Sequence, residues 1–418
     1  MTQLQLAPRL ESLPRAERTT APSRAEVHQR IAPFARASSI QGYLSFAIDI
    51  ALYALGIAGV VMSHGMGGKV VGGLLVGFGL VGLGSLSHEA AHRAVVKSRL
   101  GNELISIFSF TMILFNYRLW VYDHHVLHHA RTNVKNNNFL SPLTLAEYRG
   151  MSRFRRALYR AYHSESGLGI LLYYLLERWP SVHFYPGSWL PKRFHASAWR
   201  YTALEAGYAA ALLSVLVLVS SARHESVVAA VLLGFVMPYM IWFMVYSMTA
   251  FLQHTNPRLR WYRDAASVAS PPEALSVQVR IPGWMNHMTH YVLEHPVHHI
   301  SAMIPHYHLK KAQAALAGIS QPPIITMQYT IGNMRDVLRR CRLYDYDEHV
   351  WVDFSGEVTA IPVETVKFRQ AGASVQPFDD HLPGLAEGQA TPGIFFPPDR
   401  GARNAQEVTT VLDEDASL

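Results

Sequence analysis

Eight histidines fall into three short clusters: HEAAH (His88, His92), HVLHH (His125, His128, His129) and HPVHH (His295, His298, His299). Neutral imidazole is a common metal ligand and suits zinc, iron, copper and nickel. On a helix, residues at i, i+3 and i+4 share one face, so each cluster can aim several ring nitrogens at one point. One ion takes about four ligands in a closed tetrahedral site and about six in an octahedral one, so eight histidines suggest two ions. Each cluster sits close to a long apolar run. The spacing therefore predicts a two-metal, imidazole-rich centre at a membrane surface.

The middle cluster can be read in two registers, because His124 precedes His125. On a regular helix His125 shares a face with His128 and His129, whereas His124 shares one with His128 only. That favours His125 as the ligand, with His124 as the alternative. HEAAH taken alone also fits the zinc-protease pattern HExxH, in which the glutamate is the base. That reading needs a third ligand and leaves six clustered histidines without work. Glu89 is better suited to accept a hydrogen bond from a ligand imidazole. Hydrolytic zinc needs only three protein ligands. A nitrogen-rich pair of ions beside apolar helices instead fits oxidation of a hydrocarbon, which points to iron and dioxygen. His306 and His308, in PHYH, lie close enough to support the site, while scattered residues such as His163 and His183 read as ordinary surface or core histidines.

What must position these residues is a set of membrane helices. The chain has 418 residues, of which 50% are hydrophobic and only 16% charged, too apolar for an ordinary soluble protein. Four stretches reach the roughly 20 residues needed to span a bilayer: about 43–62, 70–86, 201–220 and 227–251. The turns SHGMGGK and SARHES join them pairwise, which predicts two helical hairpins. Glycines between Gly72 and Gly84 suit close helix packing. The apolar runs Leu104 to Phe115 and Leu168 to Leu176 are too short to cross and read as re-entrant or interfacial helices. Were the first to cross, HEAAH and HVLHH would lie on opposite faces and could not share a site. Intramembrane ionisable residues are nearly confined to Asp49 and Glu205, close to span ends, which argues against a metal transporter.

Between His88 and Arg200 there are 15 Lys and Arg, against one in each short turn, Lys69 and Arg223. The positive-inside rule then places the long loop, both termini and all three clusters on the cytoplasmic side. The net charge of +7 reflects this distribution and forms no compact nucleic-acid-binding motif. The single cysteine, Cys341, excludes an internal disulfide and a CxxC metal knuckle. Residues 1–40 read as a disordered or membrane-surface arm and 368–418 as a disordered tail. Between them, 41–350 forms the membrane domain, and alternation in VWVDF predicts a short strand or hairpin over 351–367.

The clusters and their flanks resemble the membrane fatty acid desaturase and hydroxylase superfamily. WVYDHHVLHHARTN, FLQHTNP and HPVHHISAMIPHYH are most similar to the acyl-lipid delta-12/omega-3 desaturase branch. The resemblance implies an all-α polytopic membrane protein with a cytoplasmic histidine-box cap, most simply in a bacterial inner membrane. It implies two iron ions held by His88, His92, His125, His128, His129, His295, His298 and His299, joined by His254 of LQHT. It also implies consumption of dioxygen and two electrons to place a cis double bond in the acyl chain of a lipid or thioester. Hydroxylases share the same boxes, so hydroxylation is the alternative outcome. No HPGG-type haem segment is present, so the electron donor is expected to be a separate ferredoxin or cytochrome b5. The basic run Arg149 to Arg160 reads equally as its docking face or as a lipid anchor. Three departures stand out: Ile300-Ser301 replaces the branch's Leu-Phe, His124 is an extra residue, and His290 stands where asparagine is usual. His290 is thereby left open as a further ligand or a water-mediated neighbour.

Overall fold

The computed structural model describes residues 22–136, 139–320 and 322–363, so the expected tail and the first half of the expected arm lie outside the described residues. The remainder of that arm is folded. Helix α1 (Arg24–Ile31) opens on a capping box between Ser23 and Glu26, which satisfies exposed backbone donors from both directions. Val27 and Ile31, four apart, form a small apolar stripe buried against Val297, Leu309 and Leu316. The composition conceals this, because two aliphatic side chains suffice once a partner surface exists.

Among the described residues, four helices are long and apolar enough to cross a bilayer. The first two are α2 (Ser39–Met62) and α3 (Met66–Ala91). The third, Lys192–Ala222, contains α9, and the fourth is Val227–His254. Helix α3 is the central one, with 72% of its apolar window buried inside the protein. Its glycines explain how backbones come so near. A Cβ on Gly72 would meet the Gly56 carbonyl oxygen at 2.7 Å, so α2 and α3 could not approach as closely with any larger residue there.

After α3 the chain makes an excursion and comes back. Helix α4 (Arg99–Met112) begins on a Ser98 cap, and α5 (Tyr117–Val121) begins on Asn116. Between α4 and the helical stretch Tyr117–Arg131 the axis turns by 114°. The return is complete, because His124 beyond α5 meets His88 near the end of α3. Short helices α6 (Leu145–Gly150), α7 (Arg153–Tyr162) and α8 (Leu168–Tyr173) follow. Helix α8 runs into a π-helical stretch, Tyr174–Phe184, that contains Pro180. Proline cannot donate to a regular helical bond, which accounts for the wider turn. Helix α9 (His195–Ala222) leads to α10 (Val227–Val231), a π-helical turn at Leu232–Val236, and α11 (Met237–His254).

The remaining elements carry the third histidine cluster. Strand β1 (Val277–Arg280), α12 (Gly283–Met288), α13 (His295–Ile300), α14 (His306–Ala317) and β2 (Ile325–Gln328) follow α11. Strands β1 and β2 pair in parallel, Val277 opposite Ile325. Helix α15 (Ile331–Arg340) precedes an antiparallel sheet of β3 (Leu343–Asp345), β4 (Val350–Val352) and β5 (Val358–Ala360). The VWV alternation is β4. The parallel ladder was not anticipated, since four-residue strands carry too little pattern to separate from loop.

Candidate metal centre

Each histidine cluster is held by a different kind of backbone. Helix α3 ends at Ala91, so His88 and His92 lie one turn apart, and Arg93 reverses the chain with a left-handed φ of 60°. The second cluster lies on a π-helical turn, Tyr122–His128. Hydrogen bonds there reach five residues instead of four, so residues four and five apart stack over one another. His124 therefore faces both His128 and His129. The regular-helix argument favours His125, whereas the candidate ligand group contains His124, and His125 packs against His92 with ring centroids 4.2 Å apart. The inserted residue noted in the sequence is the physical cause, because it is absorbed as a wider turn.

Two groups of four histidines result. One comprises His88, His92, His124 and His298; the other comprises His128, His254, His295 and His299, with candidate ligand atoms in each within 4.8 Å of one another. His129 adjoins the first group, its Nε2 3.0 Å from His124 Nε2 and 3.2 Å from His298 Nε2. In the second group His295 Nε2 lies 2.9 Å from the Nε2 atoms of both His254 and His299. His92 Nε2 is buried with no hydrogen-bond partner. Nitrogens about 2.1 Å from one ion stand about 3.0 Å apart at neighbouring octahedral positions and about 3.4 Å apart at tetrahedral ones. Pairs this close, in groups whose candidate ligand atoms lie within 4.8 Å of one another, can share one ion. Burial, followed by the neighbouring imidazoles, holds His92, His295, His298 and His299 well below the ordinary histidine range. They are neutral at physiological pH, with a lone pair free to bind a metal.

Outer contacts orient several rings. His88 Nδ1 donates to Glu89 Oε1 at 3.0 Å, and His298 Nδ1 lies 3.7 Å from the same oxygen. His254 Nδ1 donates to Asn133 Oδ1 and the Leu275 carbonyl, both at 3.2 Å. Such bonds fix the tautomer and leave Nε2 for the metal. Asn133 and Leu275 were not found by spacing. The only hint was that ARTN follows the middle cluster directly. His290 belongs to neither group, and its Nε2 instead pairs with Asp49 Oδ2 at 2.7 Å. His306 stands next to it, with ring centroids 4.6 Å apart.

A cavity of about 860 Å³ reaches the histidines from the helical core, its wall including His88, His124, His128, His254 and His295. Phe110, Ile113, Phe115, Trp242 and Val245 make the opposite wall apolar, and a buried ion pair between Asp123 and Arg178, at 2.5 Å, borders it. The geometry offers a space for an apolar chain against a pair of candidate metal sites.

Comparison with known proteins gives one family and a consistent set of relatives. The family model described as fatty acid desaturase matches residues 68–330. The chain is 28% identical over 236 residues to an sn-1 acyl-lipid omega-3 desaturase (ferredoxin) of Nostoc sp., a match covering 55% of this chain and 62% of the relative. It is 24% identical over 278 residues to an sn-1 oleoyl-lipid 12-desaturase of Picosynechococcus sp., covering 66% of this chain and 76% of the relative. Identity to an sn-1 acyl-lipid omega-3 desaturase (ferredoxin) of Synechocystis sp. is 30% over 240 residues, covering 56% and 63% respectively.

Proposed function

Since the chain belongs to the fatty acid desaturase family, we propose that it is an integral membrane oxidoreductase that places a cis double bond in the acyl chain of a membrane lipid. One observation carries the reading: two groups of four histidines flank an apolar cavity. The first metal would be held by His88, His92, His124 and His298, with His129 beside them, and the second by His128, His254, His295 and His299. A nitrogen-rich pair of ions beside an apolar cavity fits iron better than hydrolytic zinc, which needs only three protein ligands. When bound, such an iron pair supplies the activation of dioxygen that removal of hydrogen from an unactivated methylene requires.

This chain's residues provide the positioning. Phe110, Ile113, Phe115 and Trp242 line a path for a hydrocarbon and keep water away from it. Glu89 holds His88, while Asn133 and the Leu275 carbonyl hold His254. Overall, one dioxygen, two electrons and two protons are consumed, one hydrogen leaves each of two adjacent carbons, and two waters form. The electrons come from a separate ferredoxin-like or cytochrome donor, and the histidine end of the helices faces the cytoplasm by the charge distribution.

Expression in a host of defined lipid composition, with an electron donor supplied, tests the proposal. The intact protein should add an unsaturated acyl chain two mass units lighter than its precursor, and His298→Ala should not. A product one oxygen heavier would assign hydroxylation, and no new acyl product at all would sink the reading.

A further inference from the structure

We infer that the polar hollow beside His125 is where an acidic one-electron donor docks and passes its electrons inward, an inference that rests on the proposed oxygen chemistry. The hollow has a volume of about 670 Å³ and is lined by Arg93, Arg99, Arg118, Glu103, Tyr201 and His125, among others. Three guanidinium groups against one carboxylate leave it positive. The basic character continues outward, because Arg118 and Arg193 both flank the Phe194 ring, at 5.2 and 4.9 Å from its centroid. Lys192, Arg193 and Arg99 are exposed. A patch of this sign steers an acidic partner and sets its register, and salt weakens the attraction.

Position argues for electrons over substrate. Trp120 and His124 line the apolar cavity, whereas Arg118, Val121 and His125 line the hollow, so one helical stretch separates two compartments. The acyl chain and the donor would reach the centre from opposite sides of it. His125 spans the gap, one edge on the hollow and its ring against His92. That gives a role to a clustered histidine that joins neither group. The alternative basic run is exposed at Arg149, Arg153 and Arg160, but four of its five arginines are engaged by neighbouring groups. Arg149 donates to the Ser355 carbonyl, Arg155 pairs with Glu177, Arg156 donates to the Arg149 carbonyl and Arg160 donates to the Tyr148 hydroxyl. In each encounter the reduced iron–sulfur cluster of the donor loses one electron and is oxidised. Two encounters supply the pair consumed with each dioxygen, and the protons come from water.

The test uses the full-length protein in micelles and an acidic [2Fe–2S] ferredoxin as probe. Binding should weaken steeply with salt. Arg99→Glu, at an exposed position, should weaken it about tenfold, Arg99→Glu with Arg118→Glu should weaken it further, and the exposed Arg153→Glu should leave it within about twofold. His125→Phe should keep both affinity and metal content while slowing oxidation of pre-reduced ferredoxin in a single turnover at least tenfold. Equal weakening by Arg153→Glu, or affinity indifferent to salt, overturns the inference. So does an Arg99→Glu effect confined to retention on phosphatidylglycerol vesicles, which would make the hollow a headgroup site. If the intact protein desaturates lipids while Arg99→Glu binds ferredoxin normally, docking fails and the reaction stands. If binding follows charge but no acyl product forms, the reaction fails and docking stands.

Discussion

Asp49 and His290 meet across 241 residues, with His290 Nε2 2.7 Å from Asp49 Oδ2. Asp49 stands well inside α2 and not at its edge, only 4% exposed. Gly82 of α3 leaves room for it, since a Cβ there would lie 2.4 Å from Asp49 Oδ1. On the other side, His290 and Tyr291 both take left-handed φ values, 48° and 57°, immediately before the third cluster. Ser45, one turn before Asp49, reaches His306 Nε2 at 3.0 Å. One face of α2 thus holds a histidine on each side of His295–His299.

Removing either member deprives the other of this hydrogen bond, at a cost of about 1–3 kcal/mol. Asp49→Ala and His290→Ala should each lower the melting temperature in micelles, and the double variant should cost much less than their sum. Additive losses in that cycle would show that the pair is not coupled.

The π-helical turn makes a sharp distinction between neighbours. His124→Ala should reduce bound metal from about two ions per chain to about one, because it removes a member of the first group. His125→Ala should leave the metal content near its original value. Elemental analysis of the purified variants decides, and the reverse order would restore the regular-helix register.

What was legible in the sequence and what was not divide along physical lines. His88/His92 and His295/His298/His299 are local patterns on helical turns, and their convergence could be argued from spacing. Span positions followed from hydropathy, because 20 apolar residues leave little choice. His124 stood second to His125 because the face argument assumed 3.6 residues per turn, a period the segment does not keep. Asp49–His290 left no local trace, because a pairing across 241 residues has no periodicity. Nor did the fold of Arg24–Ile31, whose two apolar residues matter only against α13 and α14.

Gly84 faces Trp242 so closely that a Cβ would meet the ring at 2.1 Å. Trp242 lines the cavity, and its Nε1 donates to the Ile113 carbonyl at 3.2 Å. Gly84→Ala should therefore push the indole off that bond and overpack the helix contact, costing about 1–3 kcal/mol. Desaturated product should fall with it. Adding Trp242→Phe makes room, so thermal stability in the double variant should recover in part. Unchanged melting of Gly84→Ala would mean that α3 and α11 can slide apart without penalty.

Acid should destabilise the protein in part through His163, which packs beside the C-terminal sheet. It is 3% exposed and donates from Nδ1 to the Tyr159 carbonyl at 3.0 Å, with its ring near Phe354 of the β4–β5 turn. Burial, then the nearby Arg342, lowers its pKa from the ordinary 6.5 to about 4, partly opposed by the bond to Tyr159. Above pH 6.5 the ring is neutral in both folded and unfolded chains, so its contribution is fully present. Between pH 6.5 and about 4 the unfolded chain takes up a proton that the folded chain refuses, and stability falls as pH falls. At pH 5 the loss is about 2 kcal/mol. His163→Gln cannot titrate, so it should start less stable at pH 7 but lose about 2 kcal/mol less than the unaltered protein between pH 7 and pH 5. Melting both proteins in micelles at the two pH values measures the difference directly. Equal acid sensitivity in the two would remove His163 as the cause.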